Sequence, residues 1–416
     1  METVQQSSTV AALDIGSEKI SVAVADASEG GELTLLGFGK VPSLGIQHGS
    51  VQDVELAVES IRAAVAEAEQ TSRRKVTTVS VALTGKHLHS INKVLPDAEV
   101  DGAAVKRVTR LAMAFDPKVE GQSQDDRLVS HVVKGYTLDN DDVMIDDPIG
   151  MVGSVIKAHV HLAIGSDSVV QNLVKCIRRA GLDIEGLVLQ PWASAAGVLT
   201  PTDKELGVVV LDIGAGTTDI SCWEKGQVEF TAVAGMGGNT IQRDIAAVLG
   251  CNMSDAEDIK LTYGHWPLRP EDAYETVRYT RESTGEPDSC SCEKIVMTVE
   301  SRLTEMFKVI ARTYLSPDGW NLRASAGIVL TGGVARMPGI AELAHHVLGL
   351  PVRVGMPLMQ SDASIGLVSP EDATVVGVLT ETVRRRRLSG AEKRSDGTFS
   401  GLLAQLKRIV FGDFSG

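Results

Sequence analysis

Residues 208–222 read VVVLDIGAGTTDISC, an apolar run, a glycine-rich turn and a second short apolar run. Two apolar runs around such a turn predict a β-hairpin. Residues 10–24, VAALDIGSEKISVAV, follow the same plan, and Leu-Asp-Ile-Gly begins at Leu13 and again at Leu211, 198 residues later. A repeat at this distance is too long for a solenoid. It predicts two related halves, each presenting one hairpin turn to a shared cleft.

Helical patterns lie between and after the two hairpins. Apolar residues recur at helical spacing over residues 54–69, 169–180 and 339–348. Strands that alternate with helices predict an α/β fold. The expected lobes are lobe 1, residues 10–84 and 164–205, and lobe 2, residues 206–242 and 317–383.

A first insertion interrupts this plan at residues 85–163. Strand patterns end at Leu95 and recur over residues 128–138 and 154–162, and a helical pattern covers residues 102–115. Together they predict a small α+β unit.

A second insertion covers residues 243–316. Ser254 precedes a helical pattern that ends at Tyr263, and Glu257 follows it by three residues, which predicts Ser254 as the N-cap. Residues 284–292 are typical of a loop, and residues 293–314 predict a long helix. We expect this segment to form a lid on the second half.

The turn after Leu211 has the composition of a phosphate-binding loop. Gly214 and Gly216 allow a tight turn that points backbone N–H groups at an anion, and Thr217 and Thr218 add hydroxyl donors. Asp14 and Asp212 each follow an apolar strand and could hold Mg²⁺ through water, because Mg²⁺ retains much of its hydration shell. The alternative is two ordinary hairpins with acidic turns.

A third glycine turn follows the apolar residues 328–330, where Gly332 and Gly333 would let a ribose or base approach the backbone. Three such turns in this order resemble the phosphate and adenosine motifs of the superfamily of actin, the heat-shock chaperones and the sugar kinases. The resemblance implies two α/β lobes, each a ribonuclease H-like domain, closing on ATP and Mg²⁺. The residues it places around the nucleotide are Gly16, Ser17, Lys19, Gly214, Ala215, Gly216, Thr217, Thr218, Glu257, Lys260, Gly332, Gly333 and Arg336.

The role implied for Glu257 and Lys260 has a simpler alternative, and the residue at position 190 affects the expected rate of ATP hydrolysis. Glu257 and Lys260 match a Glu-x-x-Lys helix whose side chains hold ribose and base, although an i,i+3 surface ion pair fits the same spacing. Gln190 matches the position of a water-positioning glutamate. An amide orients water but takes no proton, so we expect at most slow ATP hydrolysis and do not expect a fast enzyme.

Charge and composition exclude several other classes. The 416 residues carry 40 Lys+Arg against 54 Asp+Glu, a net charge of −14, which argues against nucleic acid as a partner. No apolar run is long enough to span a membrane, and the first residues lack the pattern of a signal peptide. We therefore expect a cytoplasmic location. Cys290 and Cys292 lack a second ligand pair at metal spacing, which favours reduced thiols over zinc.

The C-terminal segment reverses the charge of the body. Residues 384–416 contain eight basic and three acidic side chains, beginning with four consecutive arginines. Residues 384–400 predict a flexible linker, and residues 401–414 an amphipathic helix. Such a helix favours an anionic membrane surface, although docking on the body is the alternative. The apolar face comprises Leu402, Leu403, Leu406, Ile409 and Val410, flanked by Lys407 and Arg408.

The nucleotide motifs, the first insertion and the tethered helix together resemble the FtsA family of bacterial cell-division proteins. The resemblance implies that residues 85–163 are subdomain 1C, which contacts later division proteins and other subunits of a filament. It implies that residues 243–316 are subdomain 2B, which binds the C-terminal peptide of the tubulin-like protein FtsZ. Candidate residues for binding that acidic peptide are Arg278, Arg281 and Arg302. The alternative, that these arginines are ordinary solvated surface residues, fits equally well.

The expected function is an ATP-binding, polymerising adaptor that tethers FtsZ to the cytoplasmic face of the membrane at the division septum. One alternative is an actin-like protein of pilus assembly that binds a membrane-protein peptide. A second is a small-molecule kinase of the same superfamily, which would need a carboxylate base that the motifs do not supply.

Overall fold

The computed structural model describes residues 8–28, 30–97, 104–119, 123–139, 141, 143–145, 148–359 and 369–395. The expected amphipathic helix, residues 401–414, and its residues Leu402, Leu403, Leu406, Lys407, Arg408, Ile409 and Val410 lie outside this part of the chain. Within the described residues, no helix is long and apolar enough to cross a membrane.

Elements are numbered along the chain. The strands are β1 (Ser8–Ile15), β2 (Lys19–Ala27), β3 (Leu33–Pro42), β4 (Ile46–Gln47), β5 (Ser50–Val51), β6 (Thr78–Leu83), β7 (His89–Asp97), β8 (Asp126–Leu138), β9 (Ile156–Ser166), β10 (Asp183–Leu189), β11 (Val208–Ile213), β12 (Thr218–Glu224), β13 (Gln227–Ala234), β14 (Thr276–Thr280), β15 (Pro287–Ser291), β16 (Ile328–Thr331) and β17 (Val352–Val354). The helices are α1 (Val54–Ser72), α2 (Ala104–Met113), α3 (Asp167–Arg179), α4 (Gln190–Val198), α5 (Pro201–Leu206), α6 (Gly238–Leu249), α7 (Met253–Tyr263), α8 (Cys292–Ile310), α9 (Trp320–Arg323), α10 (Ile340–Leu348) and α11 (Ala373–Ser395).

Two sheets repeat one topology, as the hairpin repeat predicts. In the first, β1 and β2 form an antiparallel hairpin extended by β3, and β6 and β10 continue parallel to β1. In the second, β11, β12 and β13 form the same antiparallel group, and β16 and β17 continue parallel to β11. The duplicated α/β fold is therefore confirmed, and both predicted hairpins are present.

The first insertion joins the second sheet. Its strands β7, β9 and β8 form an antiparallel sheet, and β7 meets β13 at the pair Ala232 and His89. The resulting sheet has the order β17-β16-β11-β12-β13-β7-β9-β8. Helix α2 packs on it through Val108, beside Tyr136 and Ile156. The strands and the helix predicted for this insertion are confirmed.

The second insertion corrects two local predictions. The N-cap of α7 is Asn252, whose side chain accepts from the backbone N–H of Asp255, so Ser254 lies inside the first turn. Asparagine is as strong an N-cap residue as serine, and two residues earlier it satisfies a free N–H group of the first turn. Residues 284–292 are not all loop, because β15 pairs antiparallel with β14 and places Cys290 opposite Val277.

Helices α4 and α11 cross between the lobes with their backbones in contact. A Cβ atom at Gly377 would lie 1.6 Å from the carbonyl oxygen of Ala193, a distance that no side chain tolerates. Glycine at this position therefore allows the close approach. The crossing joins α11 to the helix that begins with Gln190.

Helix α11 also changes the expected linker. The prediction began the linker at Arg384, but α11 continues to Ser395. Arg385 donates to the carbonyl oxygen of Leu187, and Arg386 makes two hydrogen bonds to the carboxylate of Glu185. Arginine favours the helix by propensity, and these contacts hold this part of α11 on lobe 1. The residues from 384 to 395 are thus helical.

Candidate functional site

A cavity of about 450 Å³ lies between the two sheets, where the hairpin turns face each other. The turn between β1 and β2 borders it on one side, and the turn between β11 and β12 on the other. The turn after β16 and the first turn of α4 complete the wall. Predicted residues in its lining are Asp14, Gly16, Ser17, Lys19, Gln190, Asp212, Gly214, Ala215, Gly216, Thr217, Glu257, Lys260, Gly332, Gly333 and Arg336.

Thr218 is the predicted site residue that the structure places elsewhere. Its side chain is fully buried, and its hydroxyl donates to the carbonyl oxygen of Met236 at 2.9 Å. Side chains alternate between the two faces of a strand, so Thr217 faces the cavity and Thr218 faces away. The prediction that the Thr218 hydroxyl acts as a donor in the cavity was therefore wrong.

Asp14 and Asp212 end equivalent strands and are 6% and 3% exposed. The pKa of Asp14 is raised to about 7. Burial is the largest cause, Lys19 opposes the rise, and Asp212 adds to it. One oxygen of Asp14, Oδ1, has no hydrogen-bond partner among the described residues. A buried unpartnered carboxylate oxygen is costly. Two buried carboxylates at one cavity, one of them with an unpartnered oxygen, fit a hard divalent cation, including one that keeps its own water.

Asp219 is a third buried carboxylate that the sequence analysis did not single out. It lies opposite Asp212 in the β11–β12 ladder and accepts from the hydroxyl of Thr84 at 2.7 Å. Burial and the neighbouring Asp212 raise its pKa well above the usual range. The equivalent position of the first hairpin, opposite Asp14, is Ser21. Comparing the two repeats position by position would have found this difference.

The phosphate-type turns approach each other closely. A Cβ atom on Gly216 would lie 3.0 Å from both Ser17 Oγ and His48 Nδ1. His48 Nδ1 also lies 2.8 Å from the carbonyl oxygen of Gly216, so a lobe 1 side chain contacts the lobe 2 turn. The absence of side chains at this point keeps the backbone of both turns accessible from the cavity.

Gly332 has a backbone conformation that other residues rarely adopt. Its φ is +86°, and a Cβ atom would lie 2.4 Å from Asp212 Oδ1. The turn after β16 can therefore lie against the carboxylate only if residue 332 is glycine. By contrast, a Cβ atom on Gly333 would be 4.0 Å from the nearest atom outside the adjoining residues, Glu371 Oε2.

Lys19 does not stand alone beside the cavity. Its ammonium lies 3.1 Å from Glu371 Oε2, and Lys40 lies 2.6 Å from Glu371 Oε1. Arg336, from the turn after β16, lies 3.3 Å from the same carboxylate. Burial raises the pKa of Glu371, but Lys19 and Lys40 outweigh it and lower the pKa to about 2. Glu371 therefore holds cations from both lobes at one edge of the cavity.

Glu257 and Lys260 form the i,i+3 ion pair that the spacing allows, with 2.5 Å between Nζ and Oε2. The pair lines the cavity, and Lys260 is buried. Gln190 begins α4, with Nε2 3.4 Å from Asp212 Oδ2. Its Oε1 has no partner within the described part of the chain, which leaves an acceptor directed at a bound donor such as water.

Known protein families match the regions of the chain that form lobe 2 and the first insertion. The model of the family Cell division protein FtsA matches residues 209–377, and that of the SHS2 domain inserted in FTSA matches residues 85–164. A diol dehydratase reactivase ATPase-like domain matches residues 126–278. The cell division protein FtsA of Pseudomonas aeruginosa is 33% identical over 424 residues, covering 100% of each chain. The chain belongs to the FtsA family. FtsA of Neisseria meningitidis is also 33% identical, over 99% of this chain and 100% of its own.

Solved structures show the actin-like fold that the FtsA family resemblance implies. A PilM-PilN type IV pilus biogenesis complex has a chain with TM-score 0.65 and 18% identity, covering 90% of this chain and 98% of its own. MreB5 of Spiroplasma citri bound to ADP has TM-score 0.52 and 14% identity, covering 92% and 98%. The cavity therefore lies between the two lobes of an actin-like fold.

Proposed function

We propose that this FtsA family member is an ATP-binding, polymerising adaptor that tethers FtsZ filaments to the cytoplasmic membrane at the septum and recruits later division proteins. The observation that carries the nucleotide part is the pair of facing glycine turns with Asp14 and Asp212 behind them. The family supplies the cell-division part.

The nucleotide is ATP with Mg²⁺. Asp14 and Asp212 would hold Mg²⁺ through its water molecules, and the ion would supply positive charge opposite the phosphates. The turns at Ser17 and Gly216 present backbone N–H groups to the phosphates. Gln190 orients a water molecule without accepting its proton, so hydrolysis is slow. The closed lobes are the form that enters filaments.

The FtsZ peptide binds subdomain 2B, residues 243–316. Two of the three candidate arginines are already paired there: Arg302 with Asp244 at 2.5 Å and Arg281 with Asp288 at 2.6 Å. Both pairs would have to open for an acidic peptide. Arg278 is exposed. It remains a candidate.

A groove on α8 offers a better basic surface than those pairs. Lys308 and Arg312 are exposed and four residues apart, so they lie on one face. Their groove, about 470 Å³, is also lined by Ser301 and Thr304, whose hydroxyls are hydrogen-bond donors, and by Glu305. We place the carboxylates of the FtsZ peptide on Lys308 and Arg312.

Subdomain 1C, residues 85–163, supplies the contacts to later division proteins and to neighbouring subunits. It exposes large apolar side chains close together in sequence, with Val152 98% exposed. Exposed apolar surface of this kind favours a protein partner. The other exposed members are Val143, Met144, Ile149 and Met151.

Residues 401–414 bind anionic lipid, and residues 396–400 remain as the proposed linker. The basic run that opens at Arg384 contributes less than its charge suggests. Arg385 and Arg386 are bound to lobe 1, and Arg384 lies 2.9 Å from Glu381. The membrane contact therefore rests on the apolar face of the terminal helix, with Lys407 and Arg408 beside it.

Binding of a fluorescent FtsZ C-terminal peptide tests the adaptor role. The double variant Lys308→Glu with Arg312→Glu should weaken binding at least about tenfold, because two charge-assisted contacts are reversed. Lys294→Glu is the matched control, since Lys294 is exposed on the same helix but outside the groove. Absence of peptide binding by the unaltered chain would contradict the adaptor role. Equal weakening by both variants would contradict the groove alone.

A further inference from the structure

Three metal-ligating side chains meet inside the second insertion, away from the nucleotide cleft lining. His265 follows α7, Asp272 lies in the short turn Pro270–Ala273, and Cys292 begins α8. All three are buried, and one ligand atom from each lies within 4.8 Å of the others. The three residues are too far apart in sequence for metal-ligand spacing rules to connect them. By those rules Cys292 could be paired only with Cys290.

Each ring nitrogen of His265 faces an oxygen atom of the protein, and the ring cannot donate to both when it is neutral. Nδ1 lies 3.2 Å from the carbonyl oxygen of Pro267, and Nε2 lies 3.3 Å from Asp272 Oδ1. A neutral imidazole has one N–H group, and both facing oxygens are acceptors when the carboxylate is ionised. One ring nitrogen therefore faces an acceptor without a proton between them. A cation at Nε2 would satisfy this nitrogen and the facing carboxylate oxygen together.

We propose that His265 Nε2, Asp272 Oδ1 and Cys292 Sγ bind one divalent transition-metal ion, of which Zn²⁺ fits the mixed N, O and S donors best. The 3.3 Å between Nε2 and Oδ1 is long for a hydrogen bond. It equals the separation of about 3.3–3.5 Å expected for two tetrahedral ligands at about 2.0–2.2 Å from zinc. A water molecule would complete the four ligands.

The atoms around the group fit the second layer of a metal site. His265 Nδ1–H donates to the Pro267 carbonyl, which leaves Nε2 for the ion. The backbone N–H of Arg269 donates to Asp272 Oδ2 at 2.6 Å, which leaves Oδ1 for the ion. Cys292 begins α8. Burial and the neighbouring Asp272 raise the pKa of its thiol to about 11, so Zn²⁺ would have to displace the thiol proton on binding.

The ion would be structural and would fix one wall of the cleft. Gly264, next to His265, lines the cavity, and the backbone N–H of Trp266 donates to the carbonyl oxygen of Pro338 at 3.0 Å. Binding the loop to α8 through His265 and Cys292 would hold this wall in place. The proposal stands independently of whether the chain binds FtsZ or lipid.

Metal titration of the full chain tests the site. Protein stripped with a chelator is titrated with Zn²⁺ against a chromophoric competitor, and with Co²⁺ for its absorption spectrum. We expect one Zn²⁺ per chain, a rise in the melting temperature, and a thiolate-to-cobalt charge-transfer band. Cys292→Ser and His265→Gln should weaken Zn²⁺ binding at least about 100-fold, since loss of an outer partner alone costs about 10–100-fold.

Cys290→Ser is the matched control, because Cys290 is two residues away and outside the group of three. It should bind Zn²⁺ like the unaltered chain. The proposal is overturned if the unaltered chain does not bind stoichiometric Zn²⁺. It is also overturned if bound Co²⁺ shows no thiolate band, a result that needs no variant to fold.

Discussion

Replacing Gln190 by glutamate tests how the cleft limits ATP hydrolysis. Gln190 lies in the first turn of α4 with Nε2 3.4 Å from Asp212 Oδ2, and its Oε1 has no partner among the described residues. This amide can hold a water molecule but cannot take its proton. Gln190→Glu keeps the size of the side chain and supplies a base, which in other enzymes contributes about 100- to 10,000-fold.

The expected gain depends on the neighbouring charge. Two carboxylates 3.4 Å apart repel each other by about 5 kcal/mol at an effective dielectric constant of about 20. This exceeds the roughly 2.7 kcal/mol that a 100-fold acceleration represents. Without a cation the new carboxyl group therefore stays protonated and inactive. With Mg²⁺ bound beside Asp212 the repulsion is offset, and we expect the low end of the range, about 100-fold.

Steady-state phosphate release at pH 8, with saturating ATP and excess Mg²⁺, measures this effect. Gln190→Leu is the control, because leucine neither orients water nor accepts a proton, and its rate should not exceed that of the unaltered chain. ATP affinity is measured in parallel for each variant. The reasoning is refuted if Gln190→Glu binds ATP normally and hydrolyses it no faster than the unaltered chain.

Three further outcomes follow from the same site. Because the pKa of Asp14 is about 7 without a cation, a proton competes with the metal below pH 7. Affinity for Mn²⁺, followed by water-proton relaxation, should fall about tenfold per pH unit from pH 7 to 5. The fall should be less steep in Asp14→Asn, where Asp212, whose pKa burial also raises, still titrates. Glu371→Gln should raise ATP affinity up to about tenfold in a fluorescent-nucleotide titration, because it removes the side-chain ion pair that competes with phosphate for Lys19 and leaves that ammonium near Asp372; unchanged affinity would contradict that competition. Gly332→Ala should abolish ATP binding and lower the free energy of unfolding in urea by about 2–3 kcal/mol. Gly333→Ala, where a Cβ atom has space, should do neither, and equal effects would show that steric fit is not the cause.

The fold was readable from the sequence because its evidence is local. An apolar run on each side of a glycine turn specifies a hairpin, and the recurrence of Leu-Asp-Ile-Gly at Leu13 and Leu211 specifies the duplication. The paired topology of the two sheets follows from it. The carboxylates Asp14 and Asp212 were found because each lies at a fixed place in its repeat.

The parts that were missed depend on contacts between distant segments. Glu371 comes next to Lys19 only after α11 packs against lobe 1, and no spacing rule connects residues 352 positions apart. His265 and Cys292 likewise meet through the packing of α7 and α8. The predicted start of the linker at Arg384 was wrong for a related reason. The tertiary contact of Arg386 with Glu185 stabilises helix in a segment whose polar composition predicts a flexible chain.

Recruitment of fluorescent FtsZ to a supported bilayer containing anionic lipid tests the central claim most directly. The full chain with ATP and Mg²⁺ is compared with residues 1–400, which keep α11 and its contacts with lobe 1 but lack the terminal helix. The account predicts that FtsZ accumulates on the bilayer only with the full chain. FtsZ that stays in solution with both, or binds equally with residues 1–400, would contradict it.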